Sequence, residues 1–247
     1  QVIYGLSSSG NNDSILSDET YILKEGLPIG ELYGYKCLGI WQTGESSEAA
    51  KYGCKPGDYK YEDLDGNGTI DASDRTNIGN GTPDYFWGIN STFRYKHWDL
   101  NVLLQGVQGA DKLNIMYAMA SSIHAKSRTI TLADAWLNRW TESNPTNKWP
   151  NAQSTTSTNY INSTQWLQDA SFIRLKNLSL GYTFDKSLTK IGDFRLYVSS
   201  QNLFTITNYK GFDPESSSTL TSDVATGIDA GITPSALTVT FGAQLTF

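Results

Sequence analysis

The sequence predicts an all-β chain that supplies strands to a large antiparallel transmembrane β-barrel with long extracellular loops. Two patterns indicate this fold: apolar and polar residues alternate in several segments, and the connections between these segments are alternately short and long. The composition agrees, because 38% of the residues are hydrophobic and only 18% are charged, whereas 12% are aromatic. A barrel strand needs aromatic residues at the membrane interfaces and small polar residues towards the lumen. A secreted β-sandwich could share this composition, so composition alone does not decide.

The clearest strand is the last one, at 237–247. Apolar residues occupy every second position from Leu237 to Phe247, and small polar residues fill the positions between them up to the chain end. This period of two predicts a strand with one apolar face. A terminal Phe on such a strand resembles the signal that the barrel-assembly machinery reads, which makes that machinery an expected partner. An ordinary half-buried edge strand would show the same alternation.

Further strands are predicted upstream of the terminal one. They are 85–95, 98–108, 172–184 and 194–203. The apolar residues of the third change phase along the strand, which predicts a β-bulge near Lys176 and Asn177. A weaker strand is expected at 19–24. So few strands would leave unpaired edges in lipid, so the chain is expected to need partner strands from a longer polypeptide.

The connections between the strands alternate in length. They are short at 96–97 and 185–193 and long at 109–166 and 206–235. This asymmetry is typical of bacterial outer-membrane barrels, and a Greek-key sandwich does not need it. The predicted parts are a loop at 26–84, a hairpin at 85–108, a loop at 109–166, a hairpin at 167–205, a loop at 206–235 and the terminal strand at 236–247. With the C-terminus at the periplasmic rim, the three loops are extracellular, and a short amphipathic helix is expected at 132–140.

Several classes of function are disfavoured. A net charge of -6 leaves no basic stripe for a nucleic acid, so none is expected as a partner. The two histidines, His97 and His124, have no neighbouring nucleophile motif, and hydrolase, metalloprotease and P-loop motifs are absent from the sequence, so the chain is not expected to be an enzyme. Cys37 and Cys54 could form a disulfide or remain two free thiols. The chain begins at Gln1 without a signal peptide, which we interpret as a mature or clipped product.

The segment 63–74 has the spacing of an EF-hand-type calcium loop. Positions 1, 3, 5, 7, 9 and 12 are Asp63, Asp65, Asn67, Thr69 (through its carbonyl), Asp71 and Asp74, and Gly68 stands at position 6. Ca²⁺ requires six to eight oxygen ligands from such a tight loop. Asp74 replaces the usual Glu and reaches less far. We expect a structural Ca²⁺ that fixes an extracellular loop; the alternative is a turn held by Asx hydrogen bonds without metal.

Aromatic residues of the long segments are candidates for stacking on sugar rings. They are Trp41, Trp149, Tyr160, Trp166 and Tyr209. Packing within the loops or at the membrane interface is the commoner fate of such residues. The substrate-binding residues therefore stay unknown at this stage.

Many short runs, in this order, resemble the C-terminal third of the SusC-like (SusC/RagA) TonB-dependent outer-membrane transporters. They are EGLPIG at 25–30, YGY at 33–35, PGDYKY at 56–61, DLDGNGTID at 63–71, DRTNIG at 74–79, WDL at 98–100, QG at 105–106, IRLKNLSLGY at 173–182, SQNL at 200–203, YKGFDPE at 209–215 and the terminal strand. Each run alone is weak, but their order and spacing cover nearly the whole chain.

The resemblance implies a barrel of about 22 strands in the bacterial outer membrane. It also implies an N-terminal plug, energy from TonB and a SusD-like surface lipoprotein as a lid, with import of glycans or oligopeptides as the function. The plug, the TonB-contacting segment and the remaining strands are not in this chain, so they are expected as partners. A secreted calcium-binding, glycan-binding β-sandwich is the main alternative, and a glycoside hydrolase domain is a third.

Overall fold

The structure is a computed structural model that describes residues 20–24, 26–121, 133–152, 162–215 and 226–247, with the backbone alone of 13–15. His124, Tyr160 and the first residue of the strand expected at 19–24 lie outside these residues. Among the described residues, no helix has the length and apolar character required to cross a membrane.

Strands dominate the described chain. In order they are β1 (Asp13–Ile15), β2 (Tyr21–Lys24), β3 (Glu31–Tyr35), β4 (Cys37–Ile40), β5 (Tyr59–Tyr61), β6 (Arg75–Asn80), β7 (Tyr85–Tyr95), β8 (Trp98–Gln108), β9 (Asp111–Asn114), β10 (Leu167–Asp169), β11 (Phe172–Phe184), β12 (Asp193–Thr207), β13 (Ile228–Asp229) and β14 (Thr238–Thr246). The helices are α1 (Ser46–Lys51), α2 (Ile115–Ser121), α3 (Ala133–Leu137) and α4 (Lys186–Thr189), with 3₁₀ turns at Thr43–Glu45 and Ala72–Asp74.

The chain divides into two compact units. One, the loop unit, takes its described residues from 1–82, 111–168 and 217–232. The other, the strand unit, takes them from 83–110, 169–216 and 233–247. The long segments between the predicted barrel strands therefore form most of the loop unit, which is a compact folded unit.

The strand unit is a five-stranded antiparallel sheet with the order β14-β12-β11-β8-β7. Within this sheet, each strand pairs with the strand that precedes or follows it along the chain, so the sheet is a simple meander. The strands β7, β8 and β11 have the predicted bounds, whereas β12 extends beyond its predicted end to Thr207. The short connection after β11 contains α4, which the sequence analysis did not predict.

The predicted bulge is present in β11. Its pairing register with β8 and with β12 shifts between Leu175 and Asn177. On β12 the same irregularity places Asn202 at φ +52°, a left-handed conformation that Asn tolerates better than most residues. The Asn202 side chain donates a hydrogen bond to the carbonyl of Ala236 at 3.1 Å. The bulge returns the apolar residues of both halves of the strand to one face.

The two faces of this sheet differ sharply in polarity. Because directly paired residues share a face, the register defines one row of small polar residues that crosses all five strands: Thr92, Asn101, Ser179, Ser199 and Thr240. The adjacent row, which lies on the opposite face, is apolar: Phe93, Leu100, Leu180, Val198 and Phe241. Phe93 and Phe241 are 60% and 81% exposed. The apolar face is therefore left open by the described residues.

The loop unit contains smaller sheets and an aromatic core. The sheets are β1-β2-β3-β6, β10-β9-β13 and the hairpin β4-β5. Trp149 and Trp166 are almost fully buried with Tyr35, Tyr59 and Tyr61 in the core. The helix expected at 132–140 is present as α3, although it ends before Trp140.

The strand expected at 19–24 is present as β2. Contrary to our expectation, it is not part of the barrel sheet. It pairs with β1 and β3 inside the loop unit. Tyr21 of this strand is buried against Leu32 and Ile228 in a second small core. Its apolar residues therefore face protein and not lipid.

Candidate functional site

The calcium-type loop brings three of its predicted ligands together. Carboxylate oxygens of Asp63, Asp65 and Asp74 all lie within 4.8 Å of one another. Asp74 has no exposed surface, and Asp65 is exposed. Hard carboxylate oxygens that converge in this way match the preference of Ca²⁺.

Glycines shape the first half of this loop. Gly66 and Gly68 have φ of +72° and +83°, where residues with a side chain are strained. Their N–H groups donate to the two carboxylate oxygens of Asp63 at 2.7 and 2.9 Å. The N–H of Gly68 is the main influence that lowers the pKa of Asp63. Asp63 is therefore an ionised carboxylate at neutral pH.

The second half of the loop closes on Asp74. One of its carboxylate oxygens accepts a hydrogen bond from the N–H of Leu64 and the other from the N–H of Asp71, both at 2.8 Å. Asn67 accepts from the N–H of Thr69 at 2.8 Å, and Asp71 caps the 3₁₀ turn. Asn67, Thr69 and Asp71 are thus hydrogen-bonded within the loop, and the side-chain amide of Asn67 donates to Asp65 at 3.0 Å. The carboxylates that converge are those at positions 1, 3 and 12.

The candidate sugar-stacking aromatics are buried. Trp41, Trp149, Trp166 and Tyr209 are 4%, 1%, 1% and 6% exposed. The rings of the three tryptophans contact other rings; Trp41, for example, stacks on Tyr52 at 5.9 Å between centroids. A buried ring offers no face to a sugar, so the stacking hypothesis is wrong for these four residues. They pack the protein interior instead.

The structure does not join the two cysteines by a disulfide. Cys37 and Cys54 are both partly buried, and each thiol donates to a nearby carbonyl. Burial raises the pKa of Cys37 to about 11. This thiol is therefore protonated and unreactive at neutral pH.

A buried ion cluster in the strand unit was missed by the sequence analysis. Arg174 of β11 donates to both carboxylate oxygens of Asp213, at 2.5 and 3.4 Å, and to Glu215 at 2.6 Å. The Arg174 and Asp213 side chains are only 4% and 3% exposed. Lys176 adds a second contact to Glu215 at 2.6 Å. These ion pairs hold residues 213–215, which belong to the last long segment, against strand β11.

Hydrogen bonds keep Asp213 ionised despite its burial. Burial alone would raise the pKa of Asp213, but the Arg174 guanidinium and the N–H groups of Ser235 and Glu215 outweigh it and hold that pKa well below its usual range. The two N–H groups donate at 2.9 Å. The carboxylate is therefore fully charged at neutral pH.

A second ion pair lies on the polar face of the sheet. Arg195 donates to both carboxylate oxygens of Asp99, at 2.8 and 2.6 Å. A cavity of about 470 Å³ borders this pair, with Arg94, His97 and Asp185 also in its lining. Charged groups on this face are consistent with contact with water rather than with lipid.

Aromatic residues gather on the apolar face at the end of the sheet that has the short turns. Trp98 and Tyr182 lie edge to face with 4.8 Å between ring centroids, and Tyr182 and Phe184 do the same. Tyr95, at the end of β7, is 71% exposed. Exposed aromatics at a strand end form the interfacial girdle of membrane barrels.

Comparison with known proteins connects this architecture to one class. No protein-family model matches the chain. The chain is 36% identical over 242 residues to the TonB-dependent receptor P3 of Formosa agariphila, which covers 94% of this chain and 23% of that protein. It is 30% identical over 200 residues to the TonB-dependent receptor SusC of Bacteroides thetaiotaomicron, with 78% of this chain and 18% of that protein covered. The solved structure of the RagAB peptide transporter superposes with a TM-score of 0.75 and 26% identity, covering 97% of this chain and 25% of that one.

The two-faced antiparallel sheet and these relatives define the class as TonB-dependent outer-membrane receptors. Within that class the chain belongs to the SusC-like family, which confirms the resemblance seen in the sequence. The chain spans about a quarter or less of the length of the relatives it matches.

Proposed function

We propose that this chain forms part of the wall and outer loops of a TonB-dependent importer of glycans or oligopeptides in the bacterial outer membrane. The observation that carries the proposal is the five-stranded sheet, with an open apolar face and a polar face that contains paired charges. Lipid against one face and a watery lumen against the other satisfy both. A soluble glycan-binding sandwich would have to cover the apolar face.

The remaining wall must come from the rest of the transporter. Among the described residues, β7 and β14 each pair along one edge only. Unpaired N–H and C=O groups in hydrocarbon cost several kcal/mol each, so the sheet requires neighbours on both sides. The plug and the TonB-contacting segment belong to that same remainder.

The direction of the chain in the membrane follows from its turns. We place the short connections at the periplasmic rim and the segments 26–84, 109–166 and 206–235 outside the cell, where a SusD-like lipoprotein would close over them. Cargo would be captured between lipoprotein and barrel, and TonB-driven plug rearrangement would release it to the periplasm. This part of the wall would act as a scaffold and not as a catalyst.

The function is tested in the full-length receptor. Deletion of its gene should abolish TonB-dependent uptake of a glycan or peptide by intact cells, and the purified receptor should require detergent and retain a surface lipoprotein. A receptor that stays soluble without detergent and without a lipoprotein would contradict the proposal and favour the sandwich.

We propose further that the loop at 63–74 binds one structural Ca²⁺ through Asp63, Asp65, Asn67, the Thr69 carbonyl, Asp71 and Asp74. The convergence of three carboxylates supports this proposal. Bound Ca²⁺ would offset part of these negative charges and stiffen the loop.

Paired substitutions test the calcium proposal in the full-length receptor. D63N/D65N should abolish calcium binding, measured by titration calorimetry, and should make cleavage of the loop by protease insensitive to chelator. D134N is the matched control, because Asp134 is an exposed carboxylate of the loop unit paired with Lys148 instead. Equal protease sensitivity of the wild type with and without chelator would contradict calcium binding.

A further inference from the structure

The cavity on the polar face of the sheet carries more positive than negative charge. It has a volume of about 470 Å³ and lies at the end of the sheet that has the short turns. Its charged lining consists of three cations, Arg94, Lys96 and Arg195, and two carboxylates, Asp99 and Asp185, with His97 beside them. The chain as a whole has a net charge of -6, so this local excess of positive charge runs against its composition. The cavity therefore favours an anion as its occupant.

Both carboxylates of the cavity already have a partner. Arg195 donates to the two oxygens of Asp99, at 2.8 and 2.6 Å. Oδ1 of Asp185 lies 3.5 Å from Nδ1 of His97. In the part of the chain that the structure describes, neither Arg94 nor Lys96 forms an ion pair with a carboxylate. Their positive charges are therefore available to a further anion.

The register of the strands fixes these groups on one face. Arg94 pairs directly with Asp99, and Asp99 pairs with Gly181, so the three positions share a face. A Cβ added to Gly181 would lie 2.5 Å from Oδ1 of Asp99 and 2.5 Å from Nη2 of Arg195. Only glycine therefore leaves room for the Arg195–Asp99 pair against the sheet. This pair has a fixed place beside Arg94.

A carboxylate is the anion that matches this lining. The planar guanidinium of Arg94 can donate to two oxygens in parallel, and the Lys96 ammonium adds a compact positive charge. With His97 neutral, the lining has one positive charge more than it has negative charges. One carboxylate balances this excess, whereas a phosphate at about −2 would exceed it.

The source of the carboxylate follows from the position of the cavity. The short turns are placed at the periplasmic rim above, whereas cargo is captured at the opposite end of the wall. The chain spans about a quarter or less of its relatives, and the remainder of the receptor includes the plug inside the wall. A group on the same receptor is always close to the cavity, at an effective concentration that a passing cargo does not reach.

We propose that Arg94 and Lys96 bind the carboxylate of an acidic side chain of the receptor's own plug. This inference rests on the proposed import function, because the plug belongs to that function. The contact fastens the plug to the wall at the rim through which cargo leaves. The Arg195–Asp99 pair positions Arg94 by attraction to Asp99 and does not itself need the plug.

Zero-length cross-linking of the purified full-length receptor with its lipoprotein tests the proposal. A carbodiimide joins an amine to a carboxylate only where the two groups are in contact, and Lys96 supplies the amine. Digestion and mass spectrometry should find Lys96 joined to an Asp or Glu of the plug. The Lys148–Asp134 pair, with 3.2 Å between Nζ and Oδ2, is the positive control. K96R is the negative control, since arginine retains the charge but does not form this bond.

The identity of the residue joined to Lys96 separates the outcomes. If the Lys148–Asp134 link forms while Lys96 is joined to no residue, or only to Asp99 or Asp185, the inference is overturned. A link to the lipoprotein or to another strand of the wall also overturns it, because the occupant is then a different one. A receptor that requires detergent but lacks the plug link overturns the inference alone. A receptor that is soluble without detergent and carries no lipoprotein overturns the proposed function as well.

Hydrogen exchange measures the strength of the contact. R94Q removes the guanidinium and should speed exchange about fivefold in the plug segment that carries the linked acid, as expected for a partly exposed ion pair. Replacement of the linked acid by its amide should have the same effect, and the two changes together should add little more. R139Q is the matched control, because Arg139 belongs to the loop unit and donates to the carbonyl of Trp136. Exchange in R94Q equal to that in R139Q would overturn the proposal.

Discussion

Removal of one partner from the buried ion cluster is expected to release the segment around Asp213. Arg174→Met retains the apolar stem of the side chain but removes the guanidinium, so Asp213 loses its charged partner while it keeps the N–H donors of Ser235 and Glu215. Loss of one partner from a buried ion pair destabilises by about 3–5 kcal/mol. Since the Arg174 and Asp213 side chains are 4% and 3% exposed, solvent screening is small, and we expect a value near the lower end of this range because the N–H donors to Asp213 remain.

Proteolysis of the full-length receptor measures this opening. Trypsin cleaves after Lys210, three residues before Asp213. If the segment closes again faster than it is cut, the cleavage rate follows the open population, and about 3 kcal/mol corresponds to a rate about 150 times higher in R174M. R195M is the matched control, because it breaks the pair with Asp99, which lies on a different part of the sheet.

A rate in R174M within threefold of the wild type, in a receptor that still migrates as a folded barrel, would refute the reasoning. A second variant guards against a purely apolar effect. R174M/D213L replaces both charges by apolar groups and should recover part of the protection, because no buried charge is left without a partner. If the double variant is cut as fast as R174M, packing and not charge holds the segment.

The same cluster predicts how the segment responds to pH. The folded pKa of Asp213 lies below its ordinary value of about 3.9, so its stabilising contribution is complete above about pH 5 and is lost progressively as the pH falls further. Hydrogen exchange at the amides of Glu215 and Ser235, corrected for intrinsic rates, should therefore give the same protection at pH 5 and pH 7.5.

Three further changes test the wall itself in the full-length receptor. Deletion of Phe247 should lower the amount of receptor inserted in the outer membrane, and normal levels by immunoblot would argue against a role of the terminal residue in assembly. Gly106→Val should reduce the folded fraction, because even a Cβ at this position would lie 2.2 Å from the Trp87 ring and overpacking costs about 1–3 kcal/mol; unchanged heat-modifiable migration on a gel would contradict this. Asn202→Gly should be tolerated while Asn202→Val loses about 1–3 kcal/mol, since a β-branched residue is strained at φ +52°; equal urea resistance of the two variants would disprove the role of the left-handed bulge.

The strands of the wall could be predicted because their determinants are local. An alternation of apolar and polar residues sets the face of each strand, and the phase change in 172–184 marked the bulge at Leu175–Asn177 that the register shows. The start of the helix at 133 followed from the same kind of short-range pattern. The weak strand at 19–24 shows the limit, because its sequence predicts a strand without revealing which sheet it joins.

The ion cluster could not be predicted because its partners are 39 residues apart. In the sequence, Arg174 is one polar residue within an alternating strand, and Asp213 is one acid in a segment rich in turn formers. The available signal was their occurrence in two of the runs shared with the SusC-like family. Conversely, the calcium-type loop was visible because all of its ligands lie within 12 consecutive positions, and the structure brings Asp63, Asp65 and Asp74 together.

The aromatic residues of this chain perform two opposite tasks, which composition alone cannot separate. In the strand unit rings such as Phe241 are exposed, while in the loop unit Trp149 and Trp166 are among the most deeply buried side chains. Because these segments fold around a buried core, their backbone conformational entropy is lost once, when the chain folds. The free-energy cost is about 1–2 kcal/mol per residue. Flexible loops would instead lose part of that entropy each time they closed on cargo, which would weaken binding. The import function proposed above would therefore gain from long segments that are folded in advance.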